Sequence, residues 1–149
     1  MSVTLRKGTP EDLPQILELI RELALFEKAP EQVVNTVEQM MIDGFGANPV
    51  YWFFVAENEG EIIGTAIYYL RYSTWKGVRL SLEDLIVTEK ARGIGAGKLL
   101  FEACIEEAKA KGYSGMVWQV LDWNTPALDF YKNYQADLDG EWINGSLEF

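Results

Sequence analysis

The sequence predicts a single α/β domain, with helices on both faces of a mixed, mostly antiparallel sheet. Three consecutive strand-like runs joined by short turns favour an antiparallel meander. An amphipathic helix follows the third run and leads to another apolar strand, which is the pattern of a parallel β-α-β crossover. The length of 149 residues suits one domain, so residues 1–149 are expected to fold together.

The first strand and the first helix lie near the amino terminus. "TLRK" predicts a short strand, and "TPEDLPQILELIRELALFE" predicts the helix that follows it. Thr9 is placed to cap this helix, and Pro10 suits its first turn. The apolar residues of the segment recur at helical spacing, which predicts one buried stripe facing the sheet.

A second helix is predicted before the meander. It begins near Asn35 or Thr36, and Gln39 stands where it would complete a capping box. Asp43-Gly44 is predicted to end this helix, because glycine is common directly after a helix. Two helices therefore precede the central strands.

The remaining elements follow in a regular order. The meander strands are "YWFFVAE", "IIGTAIYYLRY" and "VRLSLEDLIV", with turns at "NEGE" and "STWKG". A helix extends from about Gly93 to Lys111, and "MVWQVLD" predicts a buried strand after it. "NTPALDFYKNY" predicts a short helix with Thr125 as its cap and Pro126 in its first position. "EWINGSLEF" is expected to close the sheet as a last strand.

The composition narrows the class of function. The net charge of −10 argues against a nucleic-acid partner, because neutralising phosphates takes clustered Lys and Arg. No apolar run is long enough to cross a bilayer, and the amino terminus lacks the apolar core of a secretory signal. The single cysteine, Cys104, excludes an internal disulfide and fits the cytoplasm. Histidine is absent, so acid–base chemistry near neutral pH requires carboxylates, Tyr, Lys, Cys or water.

The stretch "EDLIVTEKARGIGAGKLL" connects an apolar strand to a helix through three glycines. Arg92, Gly95 and Gly97 form an Arg-x-x-Gly-x-Gly pattern. Glycine permits positive φ and close approach of a ligand to the main chain, and the first-turn amides of a helix bind anions. The turn therefore has two interpretations: tight packing of helix on sheet, or a diphosphate site to which Lys98 adds a cation.

The context separates the known phosphate motifs. A P-loop has Ser or Thr after Gly-Lys, whereas Leu99 follows Lys98 here. A dinucleotide-binding turn would follow the first strand of a parallel sheet, whereas these glycines follow a meander. The third motif is the coenzyme A site of the GNAT N-acetyltransferases. The order of the elements, together with Arg-x-x-Gly-x-Gly, resembles that family.

Within the family, the sequence is most similar to the diamine (spermidine/spermine) acetyltransferases and their thialysine-acetylating relatives. The segments that carry the resemblance are "LRKGTPEDLPQILELIRELALFE", "DGFG", "YYLRYSTWKG", "LEDLIVTEKARGIGAGK" and "VLDWNTPALDFYK", and they span nearly the whole chain. The resemblance implies the GNAT fold, acetyl-CoA as the co-substrate, no metal, a small-molecule amine as the acceptor, and a homodimer.

The resemblance also implies roles for individual residues. Tyr131 would be the general acid, and Glu83 would engage the amine and act as base through water. Phe26 and Glu27 would lie on the substrate side, at the end of the first helix. The main chain of the third meander strand would face the pantetheine arm, and the glycine turn would hold the diphosphate. The cofactor-binding residues so implied are Leu85, Ile86, Val87, Arg92, Gly93, Ile94, Gly95, Ala96, Gly97, Lys98, Asn124 and Pro126.

Amine acetylation gives these residues chemically sensible tasks. The amine must lose a proton before it attacks the acetyl carbonyl, and burial of Glu83 in an apolar strand would raise its pKa for that purpose. Glu83 and Asp84 are neighbours in a strand and are expected to point to opposite sides, which leaves Asp84 a structural role. A main-chain N–H of the same strand can receive the oxyanion, and the Tyr131 hydroxyl can protonate the departing thiolate.

Two features leave the acceptor open. The diamine family commonly has a Gly-Ala pair after "FYK", where this chain has Gln135-Ala136, and the segment after it is short. These departures weaken the case for polyamine specificity more than the case for acetyl transfer. The expected function is acetyl transfer to a small primary amine, a polyamine or a lysine-like amino acid, by direct attack in a ternary complex. The alternatives are acetylation of a protein or peptide amine, and a CoA-binding regulator without catalysis.

Overall fold

The computed structural model describes residues 2–149, which divide into two compact units. The first unit ends at Trp118, and the second extends from Gln119 to Phe149. The units are described separately below. No helix within residues 2–149 has both the length and the apolar character needed to span a membrane.

The first unit is a five-stranded sheet with three helices. The sheet order is β1-β2-β3-β4-β5, and only the β4–β5 pair is parallel. The predicted meander and β-α-β crossover are therefore confirmed. The elements are β1 (Val3–Lys7), α1 (Leu13–Phe26), α2 (Val37–Phe45), β2 (Trp52–Asn58), β3 (Glu61–Ser73), β4 (Gly77–Val87), α3 (Ala96–Ala110) and β5 (Met116–Trp118).

Helices cover both faces of this sheet. Strand residues alternate between the faces, and Phe53 and Val55 of β2 and Ile67 of β3 pack with residues of α1 and α2. The core on that face consists of Leu13, Ile16, Leu17, Leu19, Met40, Phe53, Val55, Ile67 and Ile86. Gly64 of β3 belongs to the opposite face, where a Cβ would lie 3.1 Å from Leu100 of α3. Burial of Leu100, Phe101 and Cys104 forms the second apolar layer there.

The amino-terminal end of α1 differs from the prediction. A 3-10 turn (Pro10–Asp12) precedes the helix, and Thr9 flanks that turn, not α1 itself. The Asp12 carboxylate accepts hydrogen bonds from the main-chain N–H and the hydroxyl of Thr9, at 2.8 and 3.1 Å. Arg6 of β1 also donates to both Asp12 oxygens at 2.8 Å, so Asp12 joins the first strand to the first helix.

Helix α2 begins as predicted and ends later. The Thr36 hydroxyl accepts a hydrogen bond from the N–H of Gln39 at 3.1 Å. The helix continues through Asp43-Gly44 to Phe45, so the predicted end at Asp43-Gly44 is wrong. Gly44 is required for packing inside the helix, because a Cβ there would lie 2.6 Å from the ring of Tyr51.

The carboxyl-terminal part contains less regular structure than predicted. Strand β5 is three residues long and stops at Trp118, well before the end of "MVWQVLD". The second unit contains α4 (Thr125–Lys132), and residues 133–149 form no strand. The predicted last strand "EWINGSLEF" is therefore wrong. Its apolar residues Trp142, Ile143 and Leu147 are exposed, because no neighbouring strand pairs with this segment.

Candidate active site

A β-bulge in β4 shapes the candidate site. Ile67 pairs with Asp84, but the next residue of β3, Tyr68, pairs with Leu82, so Glu83 is the extra residue. A bulge interrupts the alternation of side chains along a strand. Glu83 and Asp84 consequently line the same cavity, and the expectation that they point to opposite sides is wrong.

The cavity is bounded by the carboxyl-terminal half of α1, by α2 and by the centre of the sheet. Its volume is about 210 Å³. Its charged lining residues are all acidic: Glu83, Asp84 and Asp43. A cavity with this lining attracts cations, which suits a protonated amine. The other lining residues are Ile20, Asn35, Met40, Val50, Tyr51, Ile67, Tyr68 and Tyr69.

Asp84 is the carboxylate with the most perturbed proton affinity in this cavity. Burial, together with the negative charges of Glu83 and Glu27, raises its pKa from the usual 3.8 to about 7. Glu83 itself is exposed, so the burial that the sequence suggested for Glu83 is found at Asp84 instead. A carboxylate with a pKa near 7 can both accept and release a proton at neutral pH.

Phe26 and Glu27, predicted on the substrate side, lie together at the end of α1 but face different neighbours. Glu27 is half-buried, and burial raises its pKa. The negative charge of Glu27 also raises the pKa of Asp84, as the charge of Glu83 does. Phe26 instead has the guanidinium carbon of Arg92 5.8 Å from its ring centre. Phe26 therefore contacts the segment that leads to the glycine turn.

The glycine turn contains two residues in backbone conformations that favour glycine. Gly93 and Gly95 adopt φ of 88° and 89°, and a Cβ at either position would meet no atom within 4 Å. Their role is thus conformational, and the space above them is open to a ligand. Helix α3 begins directly after, at Ala96, three residues later than predicted. The first-turn amides of an α-helix lack partners within the helix, so this end of α3 can receive an anion.

Gly97 has a different role from the other two glycines. A Cβ at Gly97 would lie 3.7 Å from Val87 of β4, which is an ordinary contact between helix and strand. Arg92 is held beside the same strand, because its Nε donates to the Val87 carbonyl at 3.2 Å. Lys98 is exposed at the start of α3. Gly97 therefore fits the packing interpretation, whereas phosphate binding at Gly93 and Gly95 stays a prediction.

The end of β4 has one strand neighbour only. Pairing with β5 ends at Leu82 and Trp118, whereas pairing with β3 continues to Val87. Within the described first unit, Leu85, Ile86 and Val87 therefore have no strand on the β5 side. A peptide-like ligand can pair with main-chain groups left in this way.

In the second unit, Asn124 and Tyr131 belong to α4. Asn124, not the predicted Thr125, is the cap, and its side-chain oxygen accepts from the N–H of Ala127 at 3.3 Å. Pro126 therefore occupies the second helical position instead of the first. Tyr131 is 7% exposed, and its ring lies 5.3 Å from that of Phe130 in an edge-to-face arrangement. Both predicted residues are thus fixed by the same short helix.

Sequence reasoning gave Asp84 a structural role and considered Asp43 only as part of a helix end, whereas both line the cavity. The bulge that turns Asp84 into the cavity depends on the register between β3 and β4, which no single-strand pattern contains.

Among residues 2–149, no three His, Cys, Asp or Glu side chains group as metal ligands do.

Known proteins resemble the chain in sequence and in fold. Residues 13–135 match the acetyltransferase (GNAT) family. The chain is 42% identical over 138 residues to the thialysine N-epsilon-acetyltransferase of Bos taurus, covering 87% of this chain and 81% of that protein. It is 32% identical to the spermidine/spermine N(1)-acetyltransferase-like protein 1 of Homo sapiens, covering 92% of this chain and 21% of that protein. An aminoglycoside acetyltransferase from an uncultured soil metagenomic sample superimposes with a TM-score of 0.80 at 20% identity, over 99% of this chain and 96% of the other.

Proposed function

Because the chain belongs to the GNAT acetyltransferase family, we propose that it acetylates the terminal amine of a lysine-like amino acid such as thialysine. The family and the relatives make it an acetyl-CoA-dependent N-acetyltransferase of small-molecule amines. The observation that carries acetyl transfer to an amine is the acidic cavity at the β4 bulge, where Asp84 has a pKa of about 7. The higher identity to thialysine enzymes than to the spermidine/spermine protein favours the amino acid.

We assign the cofactor to the open edge and the glycine turn. Acetyl-CoA supplies the acetyl thioester. The first-turn amides of α3 and the main chain from Arg92 to Lys98 would hold its diphosphate, and Leu85, Ile86 and Val87 would pair with the pantetheine arm. Asn124 and Pro126 of α4 are assigned to the cofactor on the resemblance. The support from geometry is the positive φ of Gly93 and Gly95, together with the open space above them.

The proton transfers are assigned to Asp84 and Tyr131. Asp84 takes the proton of the incoming ammonium, either directly or through a water that Glu83 also holds. Glu27 and Glu83 keep the proton affinity of Asp84 high through their charges. Tyr131 donates a proton to the departing sulfur, and a main-chain N–H of β4 stabilises the oxyanion. These steps need no metal, because each is a proton transfer or a hydrogen bond.

A diamine or polyamine is the second candidate. The cavity carries three carboxylates and no cationic lining residue, so it offers no partner for the carboxylate of an amino acid. A ligand with ammonium groups at both ends would satisfy this lining better. The lysine-like substrate requires its carboxylate to stay in solvent.

An amine panel tests the proposal. Thialysine, lysine, ornithine, putrescine, spermidine, spermine and a lysine-containing peptide are incubated with acetyl-CoA, and the acetylated products are identified by mass spectrometry. The highest kcat/KM with thialysine or lysine supports the lead proposal. Preference for spermidine or putrescine establishes the second candidate, and preference for the peptide overturns both.

The remaining assignments concern the setting of the enzyme. We propose that both units form one acetyltransferase domain, because the family match extends across both. A homodimer is assigned on the resemblance alone. The cytoplasm is assigned because the single cysteine forms no internal disulfide, and the net charge of −10 disfavours nucleic acid and anionic membrane surfaces as partners.

A further inference from the structure

Glu22 of α1 binds the segment that connects β4 to the glycine turn. One of its carboxylate oxygens accepts from the Thr88 hydroxyl at 2.8 Å, and the other accepts from the N–H of Glu89 at 2.9 Å. Glu89 opens the 3-10 turn Glu89–Ala91. Hydrogen bonds to an ionised acceptor are stronger than neutral ones. Both oxygens of Glu22 thus hold the first part of this connection.

The end of the connection touches the same face of α1. Phe26 follows Glu22 by one helical turn, so the two side chains lie one above the other on α1. Arg92 places its guanidinium carbon 5.8 Å from the Phe26 ring centre. Residues 88–92 are therefore attached to α1 at both ends, immediately before the two glycines of positive φ.

The strand side of the connection is also fixed. The N–H of Thr88 donates to the Ile63 carbonyl of β3 at 2.8 Å. Thr88 consequently has its main chain on the sheet and its hydroxyl on α1. The two glycines that follow have no side chains to set their position, so this attachment determines where the turn lies.

We infer that Glu22 is a positioning residue that sets the place of the diphosphate-binding turn through Thr88 and Glu89. This inference rests on the proposed assignment of the diphosphate to that turn. In this role Glu22 acts through its hydrogen bonds to Thr88 and Glu89, so its effect is confined to ligands that carry a diphosphate. The consequence is measurable with two acetyl donors.

The experiment compares acetyl-CoA with S-acetyl-pantetheine, which presents the same thioester without a diphosphate. For Glu22→Ala we expect the KM for acetyl-CoA to rise about tenfold, as loss of hydrogen bonds to a charged group predicts. We expect kcat to stay within about twofold, and kcat/KM for S-acetyl-pantetheine to stay at the wild-type value within the same limit. Equal losses with both donors, or no loss with acetyl-CoA, would overturn the inference.

Two further variants make the result specific. Glu18→Ala removes an exposed ion pair with Arg21 on the same helix, without touching residues 88–92, and both donors should react as with wild type. Glu22→Gln keeps the size of the side chain and one acceptor oxygen. It should give a smaller rise in the KM for acetyl-CoA, and it replaces Glu22→Ala if that variant does not fold.

Gly95→Ala tests the diphosphate assignment independently of the role of Glu22. An alanine at φ 89° is strained, so the turn must change shape. If Gly95→Ala raises the KM for acetyl-CoA and both Glu22 variants leave it unchanged, the role of Glu22 is refuted and the diphosphate assignment stands. If none of the three raises it, both are refuted.

Discussion

Asp84 acquires its proton affinity from its surroundings. It is half-buried beside two other carboxylates, Glu83 and Glu27, and its pKa is raised to about 7. Removing a carboxylate from water disfavours its charged form, and nearby negative charges add to the effect. The same residue in an unfolded chain would be ionised at neutral pH. Its position therefore makes an ordinary aspartate a candidate for the catalytic base.

The pH dependence of turnover should report this aspartate. Since protonated Asp84 cannot accept a proton, kcat/KM for the amine should rise with pH through about 7. In Asp84→Asn, kcat/KM should fall about a hundredfold or more and lose that inflection. Rates measured from about pH 5 to about pH 9 check both statements. An unchanged inflection in the variant would remove Asp84 from the proton transfer.

Tyr131 gives a second prediction at the scale of one side chain. Tyr131→Phe keeps the ring of this residue, which is 7% exposed, and removes only its hydroxyl. We expect kcat to fall by about two orders of magnitude, as for loss of a general acid, with little change in affinity for CoA. Stopped-assay rates and calorimetric titration with CoA separate the two quantities. Wild-type turnover in this variant would contradict the role.

The sequence named Glu83 as the candidate base, and the structure adds its neighbour Asp84 as a second candidate in the same cavity. Residues that act through the backbone, such as Gly93 and Gly95, are recognisable from their spacing because only glycine adopts positive φ without strain. The choice between Glu83 and Asp84 depends on a bulge. The extra residue of a bulge changes which of the following side chains face the cavity. The alternation of residues along one strand does not reveal where such a bulge lies.

At the scale of elements, an ion pair joins β1 to α1. Arg6 donates to both oxygens of Asp12, and Glu57 of β2 binds the same guanidinium. Asp12 is 6% exposed. Its hydrogen bonds with Arg6, and then those from Thr9, lower its pKa from 3.8 to about 2. The pair thus fixes the first helix against the edge of the sheet.

Acid should weaken this junction in a defined range. The folded-state pKa of Asp12 lies below its unfolded value, so its stabilising effect is complete above about pH 4 and is lost as pH falls towards 2. Asp12→Asn should lower the free energy of unfolding by about 2 kcal/mol at neutral pH and by less at about pH 3. Urea unfolding at the two pH values measures this difference. The control is Glu18→Gln, in an exposed pair, which should change stability little.

Elements with strong local signals were predictable, and those that depend on a neighbour were not. The capping hydroxyl of Thr36 and the apolar stripe of α1 are local, and both are found in the structure. Gly44 was misassigned as a helix end because its need for close contact with Tyr51 comes from a distant part of the chain. A terminal strand likewise requires a partner, and the pattern of "EWINGSLEF" carries no information about one.

At the scale of the whole molecule, the charge of −10 should act on the encounter with substrate. The negative field of the protein attracts cationic amines at long range, and added salt weakens this attraction. We expect kcat/KM for spermidine to fall severalfold between about 0.05 and about 0.5 M salt, and kcat/KM for zwitterionic lysine to change less. Initial rates at matched pH provide the comparison. Equal salt dependence for both amines would show that the overall charge has no part in capture.

The reactivity of the Cys104 thiol can report whether the protein is folded. Cys104 is the single cysteine of the chain, it is fully buried on the inner side of α3, and burial raises the pKa of its thiol to about 12. An aromatic disulfide reagent should therefore leave the native protein unlabelled and bind one equivalent per chain once the fold opens. The colour released by such a reagent during turnover would then come from free coenzyme A alone, and any slow excess would count the molecules that have denatured.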